Sequence, residues 1–184
     1  TMGDPAGNGP EITIKALSNP QIYKRCHPIV VGDAKIFEQA KRFVNHEEIV
    51  IHPVTDVKDA LFVPGTIDVY QLDLIKDISS FTLGEVSEEG GNAAFECVRA
   101  VIDLAMNHKV DATVTNALNK EAMNLALKKK NMHFDGHTEI YATYTKTKSY
   151  AMMLALNDFR VVHVSTHCSL REACDRVKKD RVLE

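Results

Sequence analysis

The chain has 184 residues, 45% of them hydrophobic and 26% charged, with 22 Lys and Arg against 25 Asp and Glu for a formal net charge of −3. That composition is ordinary for a globular protein and excludes a disordered chain, a collagen-like repeat and a disulfide miniprotein. General polyanion binding needs an excess of cations, so no nucleic-acid partner is expected, and no run of about 18 apolar residues offers a membrane helix.

The opening segment, Thr1 to Pro10, carries three Gly and two Pro and reads as a loop, with Pro10 suited to the first turn of a helix reaching about Ser18. Pro28 to Asp33 is a short apolar run ending in Gly-Asp, a buried strand. Ala34 to Val44 is periodic and helical. Ile49–Ile51 and Ile67–Tyr70 are further strands. Gly84 to Asn92 is polar and Gly-rich and precedes the strongest helical pattern of the chain, with Ala93, Ala94, Val98, Val101, Ile102 and Ala105 on one face. Asp111 to Thr115 reads as a strand, and Ala117 to Lys130 as a helix whose last three lysines form a solvated end that suits the helix dipole. Thr138 to Tyr144 is helical. Tyr150–Leu156 and Phe159–Ser165 are strands joined by a tight turn at Asn157-Asp158. Leu170 to Val182 is a helix, with Ser169 and Glu172 spaced as a capping box. Strands and helices interleave throughout, which predicts an α/β fold with a largely parallel sheet and one antiparallel hairpin.

Four Cys occur, none in a C-x-x-C pair, which fits reduced thiols in a cytoplasmic protein. No basic segment followed by an apolar stretch opens the chain as a signal peptide would. The chain starts at Thr1 without Met and stops at Glu184 inside a helical pattern. Both ends look cut, so a longer protein is expected.

Ligands of open α/β sheets bind at the carboxyl ends of strands, which directs attention to the strand-terminal loops. Gly3 to Glu11 is either an anion cradle made of backbone N–H groups or a simple tight turn; it is neither a P-loop nor a G-x-G-x-x-G fingerprint. His137 and Thr138, at a loop-to-helix junction, can donate to an anionic oxygen; the plainer reading is a solvated His beside a helix cap. Lys120 can hold a phosphate or carboxylate and Asn119 a hydroxyl, against the alternative of a surface lysine in a first helical turn, where the dipole disfavours it. His167 leaves the sheet where a strand ends and is a metal-ligand or acid/base candidate. His163 shares its face but lies roughly 13 Å away at ~3.3 Å per residue, so the two cannot ligate one ion from a straight strand.

The blocks TMGDPAGNGPEI, GEVSEEGGNAAFECV, VTNALNKEAMN, DGHTEIYA and STHCSLREA, in that order, resemble the 4-hydroxythreonine-4-phosphate dehydrogenase (PdxA) family and its 4-phospho-D-threonate and 4-phospho-D-erythronate dehydrogenase relatives. The resemblance implies an N-terminal portion of a two-domain α/β fold similar to isocitrate and isopropylmalate dehydrogenases. Residues 1–116 would form a first, incomplete domain, and residues 117–184 the start of a second. It implies NAD and a divalent metal (Zn, Mg or Co) as cofactors, a phosphorylated hydroxy-acid substrate and a homodimer. The expected reaction is oxidation and decarboxylation of 4-phosphooxy-L-threonine in pyridoxal phosphate biosynthesis. His137 and Thr138 match the family's substrate-binding pair, His167 the first of its three metal-binding His, and Lys120 with Asn119 a polar pair at the edge of the active site. The remaining metal ligands and most of the NAD site would lie beyond Glu184, so this stretch alone is expected to be inactive. A non-catalytic, ligand-binding remnant of the family is the rival from another class.

Overall fold

A computed structural model describes residues 1–79 and 82–183. It divides into two compact units, Thr1–His137 and Thr138–Glu184. This division follows the packing of the present chain; the family-based boundary at 116/117 remains an expectation about a longer fold. The uncapped end read at Glu184 lies outside the described residues.

The first unit is built on a three-stranded parallel sheet in the order β1-β3-β2, where β1 is Val30–Gly32, β2 Val50–Val54 and β3 Thr66–Gln71. Helix α1 (Gly9–Leu17) is followed by the short α2 (Pro20–Tyr23), which the sequence pattern does not announce. Helix α3 (Ala34–Val44) crosses from β1 to β2, buries Ile36, Phe37 and Ala40, and ends on Asn45 in the left-handed conformation. The connection from β2 to β3 contains only a 3₁₀ turn, Val57–Asp59. Buried Asp68 of β3 organises it. Its carboxylate accepts from Leu61 N (3.0 Å) and Phe62 N (2.8 Å) and pairs with His52 Nδ1 at 2.8 Å. Phe62 is thereby held at φ +53°, with His27 stacked on its ring at 5.0 Å. Asp33 plays a similar part at the end of β1, its Oδ2 accepting from Leu74 N and Ile75 N at 2.8 and 2.7 Å.

Helix α4 (Glu88–Met106) begins where Ser87 accepts from Gly90 N at 3.0 Å, with Glu88 and Glu89 favourably placed in its first turn. The Gly-rich segment Gly84 to Asn92, read as preceding the helix, is therefore partly inside it. Gly91 is there for contact: a Cβ would sit 1.9 Å from the Ala122 carbonyl oxygen of α5 (Lys120–Leu127). The backbones of α4 and α5 touch, and only glycine permits it. Cys97, on the buried face of α4, is fully enclosed, and burial pushes its thiol up to about 12. The helix expected through Lys130 tightens to a 3₁₀ turn at Lys128–Lys130. Lys129 and Lys130 reach back to Glu88 (2.6 Å) and Glu96 (3.2 Å), exposed pairs that contribute little to stability.

The strand expected at Asp111–Thr115 is not formed. Thr1 lies beside it, with Thr1 N donating to Val114 O (2.8 Å) and Asn116 N donating to Thr1 Oγ1 (3.0 Å) in place of a ladder.

Helix α6 (His137–Tyr144) leads into the second unit. The hairpin forms as expected, with β4 (Met153–Leu156) and β5 (Phe159–Val162) antiparallel and Asn157 at φ +50° in the turn. The last helix is broken into α7 (Leu170–Arg176) and α8 (Lys179–Leu183). Ser169 and Glu172 complete the capping box, while Arg181 of α8 is drawn to the hairpin, Nε donating to Val164 O and Nη2 to Tyr150 O, each at 3.0 Å. The four Cys are free thiols. Among the described residues no helix is long and apolar enough to cross a membrane.

Candidate functional site

The opening loop is sewn into the first unit. Met2 N donates to Val31 O (2.8 Å) and Asp4 N to Ala117 O (3.0 Å). Gly3 sits at φ +76°, and a Cβ on it would lie 2.6 Å from Ala117 O and 2.8 Å from Asn116 Cβ. Within the loop Ala6 N donates to Asp4 Oδ1 (2.9 Å) and Gly7 N to Asp4 O (3.0 Å), and Ile12 N, already in α1, donates to Asn8 O (3.0 Å). Asp4 to Gly7 form a turn closed by these bonds. Burial raises the Asp4 carboxyl above its ordinary value, against the Ala6 hydrogen bond. On its outer side the loop, with Ile36, Gln39 and Phe43 of α3 and Leu83-Gly84, borders a largely apolar cleft of about 600 Å³. Asn119, Lys120, His137, Thr138 and His167 do not line it.

Asn116 is the centre of the polar arrangement. Its Nδ2 donates to Thr1 O (2.9 Å), Gly9 O (3.2 Å) and Thr13 Oγ1 (2.7 Å). The His137 imidazole is held below the usual histidine range, first by burial and then by the charges of the Thr1 amino group and of Lys120, against an opposing contribution from the Asn116 backbone. His137 Nε2 is buried and has no partner. Lys120 is exposed at the first position of α5. Asn119 caps that helix, its Oδ1 accepting from Ala122 N at 3.0 Å, so this oxygen is committed to structure.

Of the residues expected from the sequence, Lys120 acts on His137 through its charge, and Asn119 precedes Lys120 as the cap of α5. Thr138 follows His137 in α6 and is exposed. His167 lies after β5, exposed and at φ +50°. Among the described residues no three His, Cys, Asp or Glu side chains group closely enough to hold a metal ion. The donor set around His167 is a single imidazole, which cannot fix a coordination geometry, so these residues by themselves do not fit a metal centre. Asn116 escapes the sequence reading as a site residue. Its only signal is a carboxamide at a strand-to-helix junction, where a cap is the usual reading.

The family model described as pyridoxal phosphate biosynthetic protein PdxA matches residues 24–184. A protein of Oceanobacillus iheyensis named "Putative D-threonate 4-phosphate dehydrogenase" is 41% identical over 184 residues, covering 99% of this chain and 53% of its own. One of Clostridium botulinum with the same name is 39% identical over 183 residues, covering 100% and 53%. The crystal structure of a 4-hydroxythreonine-4-phosphate dehydrogenase from Burkholderia phymatum superposes with a TM-score of 0.86 at 36% identity, over 98% of this chain and 53% of that one. That from Klebsiella pneumoniae gives 0.86 at 36%, over 98% and 54%. The α/β class read from the sequence agrees with these matches, and the chain spans about half the length of the curated relatives it matches. The chain belongs to the PdxA family.

Proposed function

We propose that this chain is part of an NAD- and metal-dependent dehydrogenase that oxidises and decarboxylates a phosphorylated four-carbon hydroxy acid. The carrying observation is His137 Nε2, a buried ring nitrogen left without a partner in a ring that feels the charge of Lys120. A buried polar atom with no partner costs about 1–3 kcal/mol, and a site that leaves one vacant recovers that when a ligand supplies it. Lys120 draws the anionic parts of the substrate, His137 meets a polar group at the reacting end, and the Thr138 hydroxyl at the start of α6 adds a further contact. Metal and NAD dependence belong to the complete enzyme. The first substrate is 4-phosphooxy-L-threonine, with a role in pyridoxal phosphate biosynthesis, a soluble cytoplasmic enzyme and a homodimer following from the same reading.

A second substrate has a specific observation behind it: the curated relatives at 39% and 41% identity carry D-threonate 4-phosphate names. The test assays NADH formation by the complete protein with both substrates and a divalent metal. His137→Ala is expected to lower kcat/KM about 100-fold or more, and Lys120→Ala to raise KM about 10-fold. Activity with neither substrate would remove the dehydrogenase reading in favour of a ligand-binding protein. Activity unchanged in both variants would remove the site.

A further inference from the structure

The cleft of about 600 Å³ beside the opening loop has the volume of a small-molecule site. Ile36, Gln39, Ala40 and Phe43 of α3 recur at helical spacing along it, Ile36 and Ala40 buried and Phe43 more than half exposed. Asn8 and Glu11 line it from the start of α1. They stand at the N-cap and third positions of that helix, the spacing of a capping box, yet the box is not made: Asn8 is in the αR conformation and its side chain caps nothing. Among the described residues the Asn8 and Gln39 amides and the Glu11 carboxylate have no hydrogen-bond or ion-pair partner. Three polar side chains thus border an apolar cleft with nothing in the fold to satisfy them. Glu11 is the one charged residue among those lining it. The α1 dipole offsets roughly half an elementary charge there, which leaves the cleft net negative beside an exposed aromatic ring. An anion, the ligand suggested by the Gly-rich loop, would meet this carboxylate with no cation to answer it.

We propose that this cleft binds a small organic cation in which a protonated amine is joined to an aromatic ring. The ring lies against Ile36, Ala40 and Phe43, and stacking on an exposed Phe adds to the burial of apolar area. An ammonium carries three donors and no acceptor, and the cleft offers the matching set: the Glu11 carboxylate and the amide oxygens of Asn8 and Gln39. The charge decides the class of ligand, since a neutral ring gains only the apolar wall. Lys120 and His137 do not line the cleft, so its ligand is independent of the proposed reaction.

Proton–nitrogen correlation spectra of the full chain, labelled with ¹⁵N, are titrated with three probes of similar shape: phenethylammonium, neutral phenethyl alcohol and the hydrocinnamate anion. The expected result is saturable shifts of the Ala6, Glu11, Gln39 and Gly84 amides, with the ammonium bound about 10-fold more tightly than the alcohol and hydrocinnamate more weakly than either. The advantage of the ammonium shrinks as salt is raised. Glu11→Gln is expected to bring the ammonium to the affinity of the alcohol, and Phe43→Ala to weaken both. An ammonium bound no more tightly than the alcohol or hydrocinnamate overturns the choice of a cation. No saturable shift of these amides with any probe overturns the site, and neither outcome needs a variant to fold. Ammonium binding unchanged in a folded Glu11→Gln chain overturns the role of its carboxylate. The spectra need neither substrate nor NAD, so an inactive protein that binds the ammonium would sink the proposed reaction and leave the cleft standing.

Discussion

Gly91→Ala is the sharpest test of how α5, and with it Lys120, is placed. In an exposed helix the change would stabilise by about 1 kcal/mol, because alanine loses less backbone entropy. Here the new Cβ would lie 1.9 Å from the Ala122 carbonyl oxygen and 2.5 Å from Met123 N, whereas real Cβ contacts essentially never fall below 3.0 Å. Both obstacles are backbone, so no side-chain rotation relieves them. The two helices must part by about an ångström, from 1.9 to at least 3.0 Å. A gap of that size forfeits roughly a quarter to a half of the dispersion energy of the facing atoms. Ala94 and Val98 of α4 and Ala122, Met123 and Ala126 of α5 are all buried. Overpacking of this kind costs about 3 kcal/mol or more, which leaves a net loss of about 2–3 kcal/mol after the helical gain. At roughly 2–4 °C per kcal/mol for a chain of this size, Tm falls by about 5–10 °C. Thermal unfolding followed by circular dichroism measures it, with Gly7→Ala as control. There the Cβ meets Asp4 O at an ordinary 3.4 Å, and a change within about 0.5 kcal/mol is expected. A Gly91→Ala melt at or above the wild-type value would refute the backbone contact.

Three further outcomes follow from the same structure. Asp68→Ala strips the acceptor from the Leu61 and Phe62 amides and should cost about 2–4 kcal/mol in denaturant titrations, with those two amides losing protection from hydrogen exchange; unchanged protection would show that other contacts hold the turn. The Asp4 carboxyl is raised by burial, so the folded state binds its proton more readily than the unfolded state, and stability is lost as pH rises from the ordinary 3.8 through the folded value. Asp4→Asn should therefore melt higher than wild type at pH 7, and the difference should vanish below 3.8; an equal melting point at pH 7 counts against the buried carboxylate. His137 is depressed by burial, so its resonances should titrate below the ordinary 6.5, and its share of stability is lost as pH falls through that window; a midpoint above 6.5 would contradict the enclosed ring.

What the sequence disclosed is local, and what it concealed depends on distant partners. The stripe from Ala93 to Ile102 announces α4, and Ser169 with Glu172 announces the cap of α7, because each signal sits within a few residues of its effect. The hairpin at Asn157-Asp158 was legible for the same reason. The segment at 111–115 read as a strand but forms none, since a strand exists only through its neighbour, and here Val114 and the following Asn116 bond to Thr1 instead of to a ladder. Gly84 to Asn92 stood out as polar and Gly-rich, but Gly91 within it answers to a carbonyl on α5. In the site, His137 and Lys120 stood out as residue types. Asn116 did not, because its partners Thr1, Gly9 and Thr13 lie more than a hundred residues earlier. Asp68 likewise reads as one polar residue in an apolar strand until the 57–65 connection folds over it.

Cys97 gives the protein an internal clock. Only a thiolate attacks a labelling reagent, and a thiol buried in the core and pushed up to about 12 supplies almost none while the first unit is closed. Cys26 and Cys174 are exposed and Cys168 is half-buried, so these three react first. A slow last phase of modification is then the escape of Cys97, and its rate at increasing denaturant counts how often the core around α4 opens. Mass spectrometry of that phase turns one enclosed sulfur into a stability measurement made under native conditions, with no probe added to the chain.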